Sequence, residues 1–138
     1  LNYNVINAKA RELMKEFDVR GAGELIAGGE LSGGNQQKAV IAREIDRDPE
    51  LLIVSQPTRG LDVGAIEYIR KRIIAERDKG KAVIVVSFEL DEILDMSDRI
   101  AVIYDGAIQG ILDPAETNKQ DLGILMAGGQ LNKEEANV

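Results

Sequence analysis

Two short apolar runs restrict the fold of this chain more than any other feature of its sequence. They are "LLIVS" at residues 51–55 and "AVIVVS" at residues 82–87, and neither contains a charged residue. Such runs are typical of strands that are buried on both faces, as in a parallel sheet. Between them, residues 63–79 place four isoleucines at helical spacing, and Gly80 follows as a C-terminal helix cap. Together the three segments predict a right-handed βαβ unit.

Helical spacing of apolar residues predicts further helices on either side of this unit. Asn7 is the expected N-cap of the first of them, and the expected buried stripe of the second consists of Ala39, Val40, Ala42 and Ile45. An Asp-Gly pair within residues 99–112 is a strong signal for a hairpin of two strands. We therefore predict an α/β fold, with helices on both faces of a mostly parallel sheet, and a polar, frayed tail over residues 130–138. The further helices are predicted over residues 6–17, 34–47, 90–96 and 118–129.

The composition excludes several kinds of function. The 138 residues carry a formal net charge of −7 and no Lys/Arg cluster, which argues against nucleic acid as a partner. The chain has no cysteine and no histidine, so disulfides, thiolate metal sites and the usual general base are all excluded. No apolar run reaches the roughly 18 residues that a membrane helix needs. These properties predict a cytosolic domain.

The stretch "ELSGGNQQKAV", residues 30–40, is the strongest candidate for a binding site. Ser32, Gly33 and Gly34 stand where a helix begins, so backbone amides and a hydroxyl are open to a ligand. The positive end of the helix dipole favours an anion there, and a phosphate fits best. An alternative interpretation is an ordinary helix capped by Ser32. We expect this helix start to be exposed, so that a side chain added at Gly34 would not unfold the domain.

Three motifs, taken in order, resemble those of ATP-binding cassette (ABC) proteins. "LSGGNQQ" at residues 31–37 resembles the signature motif of that family, and "LLIVSQPTRGLD" at residues 51–62 resembles its Walker B strand and D-loop. Residues 82–108 resemble the switch-loop strand and the hairpin that follows it. The Asn-Gln-Gln after the two glycines resembles the second cassette of two-cassette importers for ribose-type sugars and nucleosides. "SFELDEI" and "ETNKQDLGILMAGG" resemble the nucleoside branch.

The resemblance covers only the latter part of a cassette, because the P-loop pattern G-x-x-x-x-G-K-[ST] does not occur in the sequence. It implies that residues 1–47 belong to a helical subdomain, residues 48–112 to the back half of the nucleotide-binding core, and residues 113–138 to a C-terminal helix and tail. Cassettes of this family meet head to tail, and each ATP lies between the P-loop of one and the signature helix of the other. The residues that would serve the partner's ATP are Leu31, Ser32, Gly33, Gly34, Asn35, Gln36 and Asp62.

The resemblance also implies a function, cofactors and partners. The chain would be part of the ATP-binding subunit of an importer for nucleosides or simple sugars. ATP and Mg²⁺ would be its cofactors, in the assembled full-length protein only. Its partners would be a first cassette, membrane permease subunits and a solute-binding lipoprotein, at the cytoplasmic face of the membrane. A non-transport ABC ATPase and a stand-alone module that binds a phosphate metabolite are the alternatives.

Three positions depart from the pattern of the family. Ser55 stands at the Walker B aspartate that helps to hold Mg²⁺, and a serine has no charge to offer a hard cation. Gln56 stands at the catalytic glutamate, and an amide cannot accept a proton. Phe88 stands at the switch histidine that contacts the γ-phosphate. These departures imply that the cassette's own site does not hydrolyse ATP efficiently and that this chain supplies no metal ligand.

A group of acidic residues between positions 89 and 95 raises the question of a metal site. At helical spacing its members fall on adjacent faces, so we interpret the group as a solvated surface. Its members are Glu89, Asp91, Glu92 and Asp95.

Overall fold

Helices and short strands alternate along the chain, as the sequence predicts. The structure, a computed structural model, describes residues 1–131, and the predicted tail from residue 132 onward lies outside the described residues. One unit comprises Leu1–Val86 and the other begins at Ser87. Among residues 1–131, no helix combines the length and the apolar character that crossing a membrane requires.

The elements of the first unit are the helices α1 (Tyr3–Glu16), α2 (Gly33–Ile45) and α3 (Val63–Asp78), the strands β1 (Leu51–Ser55) and β2 (Ala82–Val86), and a 3₁₀ turn at Gly28–Glu30. The elements of the second unit are the helices α4 (Leu90–Met96) and α5 (Lys119–Met126), the strands β3 (Ile100–Tyr104) and β4 (Ala107–Leu112), and a 3₁₀ turn at Pro114–Glu116.

Strands β1 and β2 pair in parallel, with Leu51 opposite Ala82. Helix α3 connects them and contacts both α2 and β2. Two of its isoleucines, Ile69 and Ile73, are 0% and 2% exposed. Gly80 follows the helix with a φ of 89°, in the left-handed region that glycine adopts without strain. The predicted βαβ unit and the α/β class are therefore confirmed.

The prediction that both strands are buried on both faces is wrong. Leu52 is 5% exposed, whereas Ile53 is 62% exposed and Ile84 is 48% exposed. Covered and exposed side chains alternate along each strand, which is the period of two that results when one face is packed. A wholly apolar run shows which residues can be buried, but it does not show how many faces the neighbouring elements cover.

Helix α1 begins at Tyr3, earlier than the predicted start near Asn7. Asn2 caps it, because its side-chain oxygen accepts hydrogen bonds from the amides of Asn4 and Val5 at 3.2 and 3.4 Å. Tyr3 and Val5 are exposed, so the first turn is held by its cap rather than by burial of an apolar face.

The buried stripe of α2 agrees with the prediction at Ala42, which is 3% exposed, but not at Val40. Val40 is 44% exposed, whereas Ile41 is 5% exposed. Val40 instead lines a groove together with Ile53 of β1. Because both positions of α2 carry apolar side chains, either one satisfies a helical period, and only packing decides between them.

The end of α1 is held against α3 by polar and cation–π contacts. The Tyr68 hydroxyl donates to the Glu16 carbonyl at 3.2 Å, and Arg72 donates to the Glu16 carboxylate at 2.9 Å. The Arg72 guanidinium also lies 3.9 Å from the centroid of the Phe17 ring, and Phe17 is only 1% exposed. These contacts hold α3, the crossover helix of the βαβ unit, against α1.

The second unit is built on the predicted hairpin. Strands β3 and β4 are antiparallel, and Asp105 and Gly106 connect them with φ angles of 47° and 74°. Positive φ at both central residues is the requirement of a type I′ turn, which Asp-Gly meets well. Helix α5 packs against β3 and β4. The buried core of this unit consists of Ile100, Val102, Leu122 and Leu125.

Glu92 contradicts the interpretation of the acidic group as a solvated surface, because its side chain is 0% exposed. It lies one helical turn before Met96, which is 8% exposed, so α4 buries the face that carries both residues. Glu89, Asp91 and Asp95 are exposed, as predicted. The prediction fails at Glu92 because acidic side chains are rarely buried, and the sequence gives no sign of the exception.

An ion-pair cluster lies where α3 ends and β2 begins. Glu76 is 2% exposed, and its carboxylate oxygens accept from Lys79 at 2.6 Å and from Lys81 at 2.8 Å. Lys81 also pairs with Asp48. Burial acts to raise the pKa of Glu76, but the hydrogen bonds from the two lysines outweigh it, so the pKa lies below its usual value. A hydrogen bond from Lys81 lowers the pKa of Asp48 as well.

Glu76→Gln should lower the melting temperature of the chain at neutral pH and weaken its dependence on pH. The change removes a buried carboxylate that two ammonium groups stabilise, a loss of about 1.5–3 kcal/mol. Because the pKa of Glu76 is depressed in the folded state, its contribution is present above the usual value of 4.5 and is lost as the pH falls through the lowered value. The difference between wild type and variant in melting temperature should therefore shrink below pH 4.5.

Glu67→Gln is the matched control for this experiment. Glu67 lies on the same helix and pairs with Lys71 at 3.7 Å, but both side chains are at least 70% exposed. Such surface pairs contribute little, so this variant should melt close to wild type at every pH. A difference between wild type and Glu76→Gln that stays constant through the acid range would contradict the assignment.

Candidate functional site

Helix α2 begins with an open N-terminus at the position where the sequence predicts an anion site. Ser32 precedes the helix in an extended conformation, with φ −61° and ψ 154°. Ser32 and Gly33 are exposed, whereas Gly34 and Asn35 are half-buried. The amides of the first turn of an α-helix have no partner within the helix. The start of α2 therefore presents backbone donors with no side chain in front of them at Gly33.

Ser32 is not an ordinary helix cap. Asn2, Asp62 and Asn118 each accept hydrogen bonds from amides of the helix that they precede, which is the usual task of an N-cap side chain. Ser32 makes no such hydrogen bond with α2. Its hydroxyl oxygen instead accepts from Asn35 Nδ2 at 2.9 Å. The alternative interpretation, in which Ser32 merely caps the helix, is therefore wrong for its side chain.

Two amide side chains of the motif hold the loop in front of the helix. Asn35 Oδ1 accepts from the Arg20 amide at 2.7 Å, across fifteen positions of the chain. Gln36 Nε2 donates to the Leu31 carbonyl at 2.8 Å. Leu31 itself is half-buried, and a Cβ atom at Gly21 would lie only 2.7 Å from its Cδ2 atom. Leu31, Asn35 and Gln36 thus make specific contacts within the chain.

The two glycines of the motif differ in their surroundings. A Cβ atom at Gly33 would meet its nearest neighbour, Leu61 Cδ2, at 3.9 Å, which is an ordinary contact. A Cβ atom at Gly34 would lie 3.1 Å from Ala65 Cβ and 3.6 Å from Asp62 Oδ2. Because α2 and α3 approach closely there, a side chain at Gly34 would require Ala65 to move by a few tenths of an ångström, and we expect it to disturb the packing of the two helices.

Asp62 has a structural task that the sequence analysis missed. Its Oδ1 atom accepts from the Ala65 amide at 2.9 Å and caps α3. An aspartate directly before an apolar helical run is a common N-cap signal, so the sequence could have revealed it. The cap holds the Asp62 carboxylate next to the start of α2.

Positively charged side chains near the motif are engaged with Asp18. Lys38 Nζ donates to Asp18 Oδ2 at 2.9 Å and lies 4.7 Å from the centroid of the Tyr68 ring. Arg20 donates to Asp18 Oδ1 at 3.1 Å. These hydrogen bonds, the one from Lys38 above all, lower the pKa of Asp18. An anion at the start of α2 would therefore depend on backbone amides and the Ser32 hydroxyl more than on these two cations.

The positions that resemble the Walker B and catalytic carboxylates lie at the end of β1. Ser55 is the last residue of the strand, and Gln56 follows with a φ of 49°. The Gln56 amide donates to the Val86 carbonyl at 2.7 Å, so β2 holds this turn. Neither side chain is a carboxylate. Within residues 1–131, no three acidic, histidine or cysteine side chains come together as a metal site.

Phe88, at the position that resembles the switch histidine, belongs to the second unit. Its side chain is 72% exposed. The neighbouring Ser87 hydroxyl accepts from the Glu89 amide at 3.0 Å. A phenyl ring cannot donate a hydrogen bond to a phosphate.

Comparison with known proteins places this geometry in a family. The nucleoside import ATP-binding protein NupA of Lactococcus lactis is 74% identical over 133 residues, which are 96% of this chain and 26% of NupA. The guanosine import ATP-binding protein NupO of Bacillus subtilis is 61% identical over 87% of this chain and 24% of NupO. The dimeric structure of MJ0796, a bacterial ABC transporter cassette, matches with a TM-score of 0.70 at 25% identity, over 83% of this chain and 49% of that one. No family model matches.

The chain spans about a quarter of the length of these curated relatives. It belongs to the ATP-binding cassette family. The resemblance that the three sequence motifs carry is therefore confirmed.

Gly34→Ala should destabilise the chain, whereas Gly33→Ala should not. The methyl group added at Gly34 would meet Ala65 Cβ on another helix at 3.1 Å. Overpacking of this kind costs about 1–3 kcal/mol, which exceeds the ~1 kcal/mol or less that alanine gains over glycine within a helix. Urea unfolding of both variants measures the difference.

The double variant Gly34→Ala/Ala65→Gly provides the control. It restores the space between the two helices. The double variant should therefore lose less free energy of unfolding, relative to wild type, than the two single variants lose in sum. Strict additivity, or a Gly34→Ala variant as stable as wild type, would show that the helices can separate there without cost.

Proposed function

We propose that this chain is part of the ATP-binding subunit of an importer, and that the start of α2 serves the ATP bound by a partner cassette. One observation carries the proposal. An exposed helix start, uncapped at Ser32 and bare at Gly33, occurs in a chain that is 74% identical to a nucleoside import ATP-binding protein. That similarity favours this function over a non-transport ABC ATPase and over a stand-alone module for a phosphate metabolite.

The residues at the helix start suit the terminal phosphate of a nucleotide. Ser32 would donate its hydroxyl proton, and the amides of Gly33 and Gly34 would donate to phosphate oxygens. Gly33 puts no side chain between the ligand and the backbone, and the helix dipole adds attraction. Donors held in place in this way stabilise the charge that develops on phosphoryl oxygens during hydrolysis. The nucleotide supplies the phosphoryl group that is transferred to water.

The cassette's own catalytic positions do not suit hydrolysis assisted by a metal ion. Ser55 and Gln56 have no carboxylate for Mg²⁺ or for a proton, and Phe88 has no imidazole for the γ-phosphate. We infer that the ATP and Mg²⁺ used in hydrolysis belong to the partner's site. The chain's own site would be degenerate, and this cassette would contribute its signature helix in trans.

The partners follow from the same reasoning. The other cassette of the pair would supply the P-loop. The cassette MJ0796, which is similar in structure, is itself dimeric. Permease subunits would hold the assembly at the cytoplasmic face of the membrane, and a solute-binding lipoprotein would deliver the solute.

The solute would be a nucleoside rather than a simple sugar, because the relatives at 74% and 61% identity are import proteins for nucleosides and guanosine. Uptake of labelled guanosine and ribose by the full importer distinguishes the two classes.

Gly33→Asp should abolish most of the transport-coupled ATPase activity of the assembled importer. The carboxylate would block the approach to the amides and repel the phosphate. A loss of about 10²-fold or more is expected, since one preorganised donor is often worth that much. Ser32→Ala removes a single hydroxyl and should cost about tenfold. Gly33 gives a cleaner test than Gly34, because a side chain at Gly34 also collides with Ala65.

Gly123→Asp is the control for the added charge. Gly123 is an exposed helical glycine, and a Cβ at that position would meet no atom of another element within 4 Å. This variant should retain wild-type turnover, and melting curves should show that both aspartate variants fold. Wild-type turnover in a folded Gly33→Asp importer would mean that this helix start does not serve ATP.

Gln56→Glu alone should leave the cassette's own site nearly inactive. The new carboxylate could accept a proton, but Ser55 and Phe88 would still provide neither a metal ligand nor a contact to the γ-phosphate. The measurement is ATP hydrolysis by a full-length subunit whose partner site has been disabled. The triple change Ser55→Asp/Gln56→Glu/Phe88→His is the comparator and should restore activity. Substantial hydrolysis by the single variant would show that the other two positions do not limit the site.

A further inference from the structure

The side chain of Asn35 makes two hydrogen bonds that determine how the Ser32 hydroxyl can act. Its Oδ1 atom accepts from the Arg20 amide at 2.7 Å, and its Nδ2 atom donates to Ser32 Oγ at 2.9 Å. A backbone N–H can only donate, so the end of the Asn35 amide that faces Arg20 must be the oxygen. The end that faces Ser32 is then the NH₂ group, which can only donate.

This arrangement leaves the Ser32 hydroxyl proton available to an external acceptor. Because Asn35 donates to Ser32 Oγ, the hydroxyl cannot direct its own proton toward Asn35. Ser32 is exposed and does not cap α2. A hydroxyl that accepts one hydrogen bond becomes a stronger donor in the next, since hydrogen bonds in a chain polarise one another.

We propose that Asn35 is a positioning residue, which orients Ser32 so that the Ser32 hydroxyl donates to the phosphate of the partner's ATP. The inference rests on the proposed function, which family membership supports in addition to the open helix start. It revises the role implied for Asn35, from a group that contacts ATP to one that acts through Ser32. The Arg20 amide holds the half-buried Asn35 side chain in this orientation before a ligand arrives.

A double-mutant cycle in the full-length subunit, assembled in its importer, tests the proposal. Asn35→Ala should lower kcat for ATP hydrolysis by about two- to tenfold, the usual contribution of one hydrogen bond, with little change in KM. In the Ser32→Ala background the same change should lower kcat by less than about twofold, because the hydroxyl that Asn35 orients is absent. If Asn35 merely supported the loop, Asn35→Ala would lower kcat by the same factor in both backgrounds.

Asn35→Asp is a second variant that keeps the fold and reverses one contact. An aspartate has nearly the same shape, can still accept from the Arg20 amide, and is favourable at a helix N-terminus. Its other oxygen would face Ser32 as an acceptor and would draw the hydroxyl proton away from the phosphate. We expect kcat to fall at least as far as in Asn35→Ala, and a kcat equal to wild type would overturn the proposal.

Asn118→Ala is the matched control. Asn118 also stands at a helix start and has both ends of its amide bonded, to the Gln120 and Asp121 amides and to the Asp121 carboxylate. Its loss should lower the melting temperature without changing kcat.

The outcomes separate this inference from the function on which it rests. If Ser32→Ala and Gly33→Asp both leave kcat unchanged, the proposed function fails, and the role of Asn35 fails with it. If Ser32→Ala lowers kcat but Asn35→Ala has no effect, or has an equal effect in both backgrounds, only the positioning role is overturned. If Asn35→Ala lowers kcat by a smaller factor in the Ser32→Ala background than in wild type, the positioning role is supported.

Discussion

Burial of α3 is the interaction on which the first unit depends. Ile69 and Ile73 are 0% and 2% exposed, and the helix contacts both β2 and α2. The same helix receives the end of α1, through the hydrogen bond from Tyr68 to the Glu16 carbonyl. Since full burial of an isoleucine side chain stabilises a fold by about 1.5–3 kcal/mol, these contacts outweigh any of the surface ion pairs. The position of α3 in turn sets where α2 can begin, because the two helices meet at their first turns.

The elements of the fold were predictable from sequence, but their packed faces were not. Apolar runs and the Asp-Gly turn predicted the βαβ unit and the hairpin, because strand length, helical period and turn chemistry are local properties. Val40, Ile53 and Glu92 were assigned wrongly, and all three errors concern what covers a side chain. Burial is a property of neighbouring elements, which a single run of sequence does not specify. The start of α1 was placed too late because Asn2 and Asn7 are equally good N-cap residues, and only the hydrogen bonds of the structure decide between them.

The candidate site divides in the same way. The motif predicted a bare helix start, which depends only on the order of Ser32, Gly33 and Gly34. The hydrogen bond from the Arg20 amide to Asn35 could not be predicted, because it joins residues fifteen positions apart through a loop without periodic structure. The contact between Gly34 and Ala65 is likewise tertiary. The adjacent glycines therefore have separate reasons to lack a side chain: the proposed access of a ligand to the backbone at Gly33, and the close packing of two helices at Gly34.

The side-by-side helix starts also explain how a carboxylate can lie next to the proposed anion site. Each helix N-terminus carries about half a positive charge, and the two are brought together where Gly34 approaches Ala65. Asp62 accepts from the Ala65 amide at 2.9 Å and so places its charge against the start of α3. Ser32 leaves the start of α2 uncapped. One of the two positive ends is thus matched by an aspartate of the chain itself, while the other stays open at the place where we propose that a phosphate binds.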